Sequence, residues 1–313
     1  MTAASSLMLL SLGVFALMIG LTLFGEWLRA RQPAGTSSPG VETFMTRVHS
    51  WWAMVILLSL ALLIGLPGVL ILFALAAFAA LREFMTYASK ARADHWALAL
   101  AFYIVLPAQF IFVGLHWDQL FSVFVPVYAF LLLPVVSALR GDADRFLVRV
   151  AETQWGLMIC VFCASHIPAL MTLEIPGYAG RGALLIAFLV LVVQAADLLD
   201  FYFGRRIGRT RIAPGLSPRT WEGAVLGVVS AALLGIGLYW ITPFPPLVAG
   251  AMAAAAALAG LAGTIVLIAI KRDKGVRDWS HLIPGQGGIL DQLAGVLFAA
   301  PVFYHLTRLV WLP

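Results

Sequence analysis

The chain has 313 residues, 62% of them hydrophobic and only 11% charged, with a formal net charge of +5 and a mean hydropathy of +0.97. A soluble domain carries about twice that charged fraction, so a soluble enzyme is excluded. The basic excess reads as a topology signal and not as a nucleic-acid footprint. Apolar runs near membrane-spanning length recur from end to end, the pattern of an all-α, polytopic integral membrane protein.

In chain order the first run is "SSLMLLSLGVFALMIGLTLF", 5–24. It lacks a basic leader and is long for a signal peptide, so it reads as a retained membrane helix. The segment 28–48 is rich in Pro, Gly and Ser and reads as a cytoplasmic linker. Spans at 51–66 and 67–81 are short and meet at Pro67-Gly68, as a tight helical hairpin or as one broken segment. Further spans follow at 96–115, 119–139, 153–173, 183–199, 223–242, 247–270 and 292–312, which makes ten. Pro107, Pro134, Pro168 and Pro301 lie inside spans, where neighbouring helices re-satisfy the backbone. Cys160 and Cys163 share one apolar run and read as core thiols, without disulfide or metal. The alanine-rich ninth span and the Gly223-x-x-x-Gly227 pair read as helix-packing surfaces. No internal repeat of the transporter kind is evident. The chain divides into an N-terminal membrane region, 1–182, and a C-terminal region, 183–313, that carries the chemistry.

The loops test this count. With the N-terminus outside, 18 of the 20 basic residues fall in inner segments, and only Arg181 and Arg308 fall elsewhere. Such a bias supports an even number of spans and a cytoplasmic placement of 200–222 and 271–291, with 174–182 outside.

Those two inner loops hold the candidate site. The first stretch, "QAADLLDFYFGRRIGRTRIAPGLSPRTWEG" (194–223), combines five arginines with Ser217, Thr220 and Glu222. Asp197 and Asp200 lie near the inner end of its span, where a carboxylate is costly unless paired or metal-bound. The second, "IKRDKGVRDWSHLIPGQGGILDQLAG" (270–295), places Lys271, Arg272, Arg277, Asp278 and Asp291 around a glycine turn. Arg, Ser/Thr and backbone N–H groups suit phosphate oxygens, glycines let a backbone approach them, and carboxylates suit Mg²⁺. By charge alone, topology would explain both loops, and no G-x-x-x-x-G-K-[ST] P-loop is present.

The spacing adds more. Lys271-Arg272, four residues, Arg277-Asp278, then Pro284, Gly287-Gly288 and Asp291 resemble the signature of the phosphatidate cytidylyltransferases. In that family the run reads Ser-x-x-Lys-Arg, four residues, Lys-Asp, then Pro-x-His-Gly-Gly-x-x-Asp-Arg-x-Asp. Ser217-Pro218-Arg219-Thr220-Trp221-Glu222-Gly223 likewise resembles its Ser-Pro-Lys-Lys-Thr-x-Glu-Gly stretch, one residue short. The resemblance covers about 183–305. It implies transfer of a cytidylyl group from CTP to phosphatidate or a related anionic lipid, with CDP-diacylglycerol and pyrophosphate as products. It also implies Mg²⁺, with a second, monovalent cation allowed, a bacterial inner-membrane location with the site facing the cytoplasm, and a homodimer as one assembly. Carried over by position, Lys271, Asp278 and Asp291 become catalytic candidates and Asp197, Asp278 and Asp291 metal ligands. Ser217, Arg219, Thr220, Glu222, Arg272, Arg277, Gly287 and Gly288 become substrate contacts.

The departures are Thr264 and Ala294 where the family has Asp, Ile268 for Ser, Gln286 for His, Gln292 for Arg, and Arg277 for Lys. They shed charge of both signs from the expected polar centre. Two readings stand on this footing: a working cytidylyltransferase with a modified site, or a weakly active or inactive paralogue that binds an anionic lipid or nucleotide. The paired motifs argue against a transporter.

Overall fold

The computed structural model describes residues 3–31 and 38–311, which form helices and turns with two isolated bridges, Arg211 with Thr220 and Ile283 with Gly287. The helices are α1 (Ala3–Ala30), α2 (Pro39–Ile64), α3 (Leu66–Tyr87), α4 (Arg92–Gly114), α5 (Asp118–Ala138), α6 (Phe146–Ala169), α7 (Gly182–Ile207), α8 (Trp221–Gly237), α9 (Pro246–Asp273) and α10 (Ile289–Trp311). All but α8 are long and apolar enough to cross a membrane. Helix α8 has 17 residues and reaches about 26 Å at 1.5 Å per residue, close to the roughly 30 Å of a hydrocarbon core. The ten spans of the sequence thus correspond one to one with these helices.

Two expectations are refined. The segment 28–48 is mostly not a linker: α1 runs to Ala30 and α2 begins at Pro39, while 32–37 lie outside the described residues. Pro39 suits a first helical turn because its missing N–H has no intrahelical partner there. Glu42 one turn later accepts Arg29 from the end of α1 at 2.9 Å. The Pro67-Gly68 junction is a hairpin of two helices, turned at Gly65 (φ +88°), a backbone conformation that glycine adopts without strain.

The core lies among α3, α6, α7, α9 and α10. Helices α3 and α7 are well enclosed, and Leu184 to Leu189 of α7 are all buried. It meets α8 backbone to backbone: a Cβ on Gly223 would lie 2.6 Å from the Asp200 carbonyl oxygen, and one on Gly227 2.7 Å from that of Ala196. This is the packing role expected of the pair. Helix α1 is peripheral and turns Leu9, Leu12, Leu17 and Leu23 outward, as a lipid-facing helix should. Cys160 and Cys163 are free thiols in the core region. Widened π turns at Ala101–Val105, Phe124–Ala129 and Met158–Cys163 each sit close to a proline, whose ring clashes with the carbonyl four residues back in a regular helix.

Cross-links place the polar loops together. Ser89 after α3 and Lys274 after α9 both bond Glu152 near the start of α6. Arg272 donates to the Gly215 carbonyl at 2.8 Å. The turns 88–91, 139–145, 208–220 and 274–288 therefore share one face of the bundle.

Candidate functional site

The 274–288 loop is organised by two carboxylates. Asp291, in the first turn of α10, accepts Lys271 Nζ at 2.6 Å on one oxygen and the backbone N–H groups of Trp279 and Gly288, both at 2.9 Å, on the other. Glu83, reaching in from α3, accepts Ser280 Oγ at 2.7 Å and the N–H groups of Ile289 and Leu290 at 3.0 and 2.9 Å. It thereby caps the N-terminus of α10, where helical N–H groups lack intrahelical acceptors. The glycine turn has the shape these acids demand. A Cβ on Gly288 would lie 2.4 Å from Glu83 Oε2, and Gly287 (φ +87°) would carry one 2.6 Å from Asp291 Oδ2. In this arrangement the two glycines admit carboxylates of the protein itself, and the N-terminus of α10 is already occupied.

Packing fixes the rest of the loop. Trp279 is buried against Phe84 and Tyr87 of α3. Gln286, which stands where the resembled family has His, donates to the Arg47 carbonyl at 3.0 Å and so ties the turn to α2. Gln292 donates to the Gln286 carbonyl, also at 3.0 Å.

The first loop is held in the same manner. Thr220 caps α8 by accepting the Gly223 N–H at 3.2 Å. Glu222 accepts the N–H groups of Arg209 and Thr210. Ser217 is buried and accepts the Arg219 N–H. Ser217, Thr220 and Glu222 thus shape the loop. Arg219 turns back to α7 and its guanidinium bridges Asp197 and Asp200. Burial works against the Arg219 charge, but the Asp197 and Asp200 carboxylates outweigh it and hold the guanidinium pKa above its ordinary value.

Helices α7, α8, α9 and α10 surround a cavity of about 140 Å³, with Arg219 of the first loop in its wall; its polar lining is Gln194, Asp197, Asp200, Arg219, Thr264, Asp291 and Gln292. Of the three carboxylates there, Asp197 and Asp200 pair with Arg219 and Asp291 pairs with Lys271. Three of the departures from the signature, Thr264, Gln292 and Ala294, line this cavity, so the lost charges all belonged to one place. Thr264 bonds its own helix at the Gly260 carbonyl.

Not every candidate converges. Asp197 and Asp291 reach the cavity, whereas Asp278 does not line it and makes no side-chain hydrogen bond or ion pair among the described residues. Arg277 is exposed beside it, and Arg272 is committed to Gly215. Asp200 belongs to the cavity more closely than Asp278. Glu83 was missed by the sequence reading. The signal was present: an acid just past the end of a predicted apolar span, the criterion that singled out Asp197 and Asp200.

The fit to a divalent cation is partial. Asp291 has both oxygens filled by N–H donors, and the described residues contain no group of three or more His, Cys, Asp or Glu that could hold a metal. Mg²⁺ needs only one or two carboxylates when phosphate oxygens complete its shell. Asp197 and Asp200 supply such a pair, and Asp200 Oδ1 is buried without a hydrogen-bond partner. Arg219 now neutralises that pair, so the fit requires Arg219 to withdraw.

The fold and the site define a helical membrane protein with a polar cavity where α7, α8, α9 and α10 meet, lined by the carboxylates Asp197, Asp200 and Asp291 beside Arg219. The chain belongs to the cytidylyltransferase family, whose family model matches residues 45–310. The match extends well before the motif-bearing region, into α2. The chain is 35% identical over 298 residues to the Escherichia coli K12 protein YnbB, described as uncharacterized, covering 94% of this chain and 96% of that one. It is 32% identical over 192 residues to the phosphatidate cytidylyltransferase of Helicobacter pylori, covering 56% of this chain and 69% of the relative. Against the phosphatidate cytidylyltransferase of Thermotoga maritima it is 29% identical over 223 residues, covering 67% and 78%.

Proposed function

We propose that the protein transfers a cytidylyl group from CTP to phosphatidate or a closely related anionic lipid at the cytoplasmic face of a bacterial inner membrane. The observation that carries this reading is the convergence on one cavity of Asp197, Asp200 and Arg219 from the first motif-bearing stretch and Asp291 from the second. A phosphate oxygen of the lipid would attack the α-phosphorus of CTP. The bond from that phosphorus to the β-phosphate oxygen breaks, and pyrophosphate leaves with the electron pair. Two anions must be brought together, so fixed cations set the barrier.

Arg219 is the cation poised to move, because it borders the cavity and its partners are acids that a bound cation could satisfy instead. Mg²⁺ held by Asp197 and Asp200 would screen the triphosphate and stabilise the leaving pyrophosphate. Asp291 keeps Lys271 and the glycine turn in register and so positions the loop. The basic bias of the motif-bearing face supports its cytoplasmic placement.

Purified protein assayed with labelled CTP, phosphatidate and Mg²⁺ tests the reading. Release of CDP-diacylglycerol that is lost in Asp197→Asn is expected, and turnover indifferent to that change refutes the site.

A second reading rests on a specific observation. The cavity of about 140 Å³ is smaller than the roughly 300–1,000 Å³ of small-molecule pockets, and the charge-shedding departures line it. A paralogue that binds an anionic lipid or nucleotide without turnover has these features. Binding without CDP-diacylglycerol release in the same assay selects it.

A further inference from the structure

Beside the motif loops, on the same face of the bundle, the α3–α4 and α5–α6 turns border an open hollow of about 530 Å³. Lys90, Arg92 and Arg140 line it, with His95, Trp96 and Leu98. Its volume falls within the range of small-molecule pockets.

The electrostatics of this hollow are unbalanced for a structural reason. The nearest acid in sequence, Asp94, is buried and spent: it accepts Arg149 Nε at 2.8 Å, the Ala91 N–H at 2.9 Å and Ser137 Oγ at 3.1 Å. Asp142, in the neighbouring turn, takes Arg149 through its backbone carbonyl and uses a side-chain oxygen on the Asp144 N–H. The buried Arg149 thus takes Asp94 and, at 3.8 Å, Asp142, while Asp142 and the exposed Asp144 of the neighbouring turn are not among the residues that line the hollow. Lys90, Arg92 and Arg140 are exposed and have no carboxylate within ion-pair distance among the described residues. Arg140 lies over the Trp96 ring, 5.6 Å from its centroid, which orients the guanidinium at the edge of the hollow. Among the described residues, no acid lines the hollow.

Three unpaired cations converging on a concave surface are the chemistry of a phosphate site. The apolar part identifies the source of that phosphate. Trp96 is 54% exposed, at the start of a membrane-spanning helix, where an indole marks the headgroup level. Leu98, two residues deeper in the helix, supplies apolar wall. We propose that this hollow binds the phosphate of an anionic phospholipid headgroup, with Trp96 and Leu98 against the glycerol and upper acyl chain. The site is separate from the cavity among α7, α8, α9 and α10 and does not depend on what that cavity does.

The test counts lipid. Full-length protein in detergent is titrated with dioctanoyl phosphatidate and, in a parallel arm, with dioctanoyl phosphatidylcholine, and bound lipid per chain is read by native mass spectrometry. The triple variant Lys90→Gln, Arg92→Gln, Arg140→Gln should lose one equivalent of phosphatidate relative to the wild-type chain, whatever number the wild type holds. At about a factor of five per cation, affinity for that equivalent should fall on the order of a hundredfold. Arg140→Gln alone, read the same way, serves if the triple variant does not fold. Phosphatidylcholine should not occupy the site. Equal phosphatidate counts in variant and wild type would overturn the proposal. Displacement of the equivalent by inorganic phosphate at matching concentration would overturn the lipid assignment and leave a free-anion site. Loss of CDP-diacylglycerol synthesis with the lipid equivalent intact bears only on the motif-loop cavity.

Discussion

Removing the Glu83 carboxylate is expected to release the glycine turn while leaving the helix bundle standing. Glu83 is buried and accepts three hydrogen bonds, from Ser280 and from the first-turn N–H groups of α10. In Glu83→Ala those donors lose their acceptor in a site with little access to water. At about 1–3 kcal/mol for each of the three groups left unsatisfied, the loop would lose on the order of 3–9 kcal/mol. Glu83→Gln keeps one acceptor oxygen but turns an NH₂ toward donors, so a loss of roughly 1–3 kcal/mol is expected. The core packing of α3 through Phe73, Ala77, Ala80 and Leu81 is untouched, so the cost falls on the loop. Hydrogen exchange of the Ile289 and Leu290 amides reads it directly, with faster exchange in the order wild type, Gln, Ala, and little change in α7. Unchanged exchange at these two amides in Glu83→Ala would refute the capping role.

Other perturbations follow from the same geometry. Gly288→Ala should destabilise the turn as Glu83→Ala does, because the new Cβ would fall 2.4 Å from Glu83 Oε2; a normal melting temperature would contradict the packing. Arg219→Ala leaves Asp197 and Asp200 without their cation, so Mn²⁺ binding followed by electron paramagnetic resonance should tighten, and equal affinity would show that Arg219 does not compete. Restoring Thr264→Asp and Ala294→Asp adds two carboxylates to the cavity lining and should likewise raise Mn²⁺ affinity; no gain would mean these positions do not face a cation. Cysteines placed at Arg209 and Gly177 should be labelled from opposite sides of the membrane by an impermeant thiol reagent, and same-side labelling would overturn the topology.

The sequence alone determined the class of protein, the number of helices and the two loops that matter. Hydropathy acts over a window of about twenty residues, so spans are legible without knowing their neighbours. The motif loops were legible because their spacing is carried along the chain, from Ser217 to Gly223 and from Lys271 to Asp291. The start of α2 was not, because the polar first turns of a helix that emerges from the membrane look like a linker in composition. Only the tertiary structure decided which charges meet. Asp278 looked equivalent to Asp291 by spacing, yet one stands apart while the other holds Lys271 and two N–H groups. Arg219 looked like a phosphate ligand and lies between two acids of α7. Glu83 and Leu290 are 207 residues apart, and no local pattern couples them. A buried charge takes whatever partner the packing brings within reach, so pairing is a property of the assembled bundle and not of the segment that carries the charge.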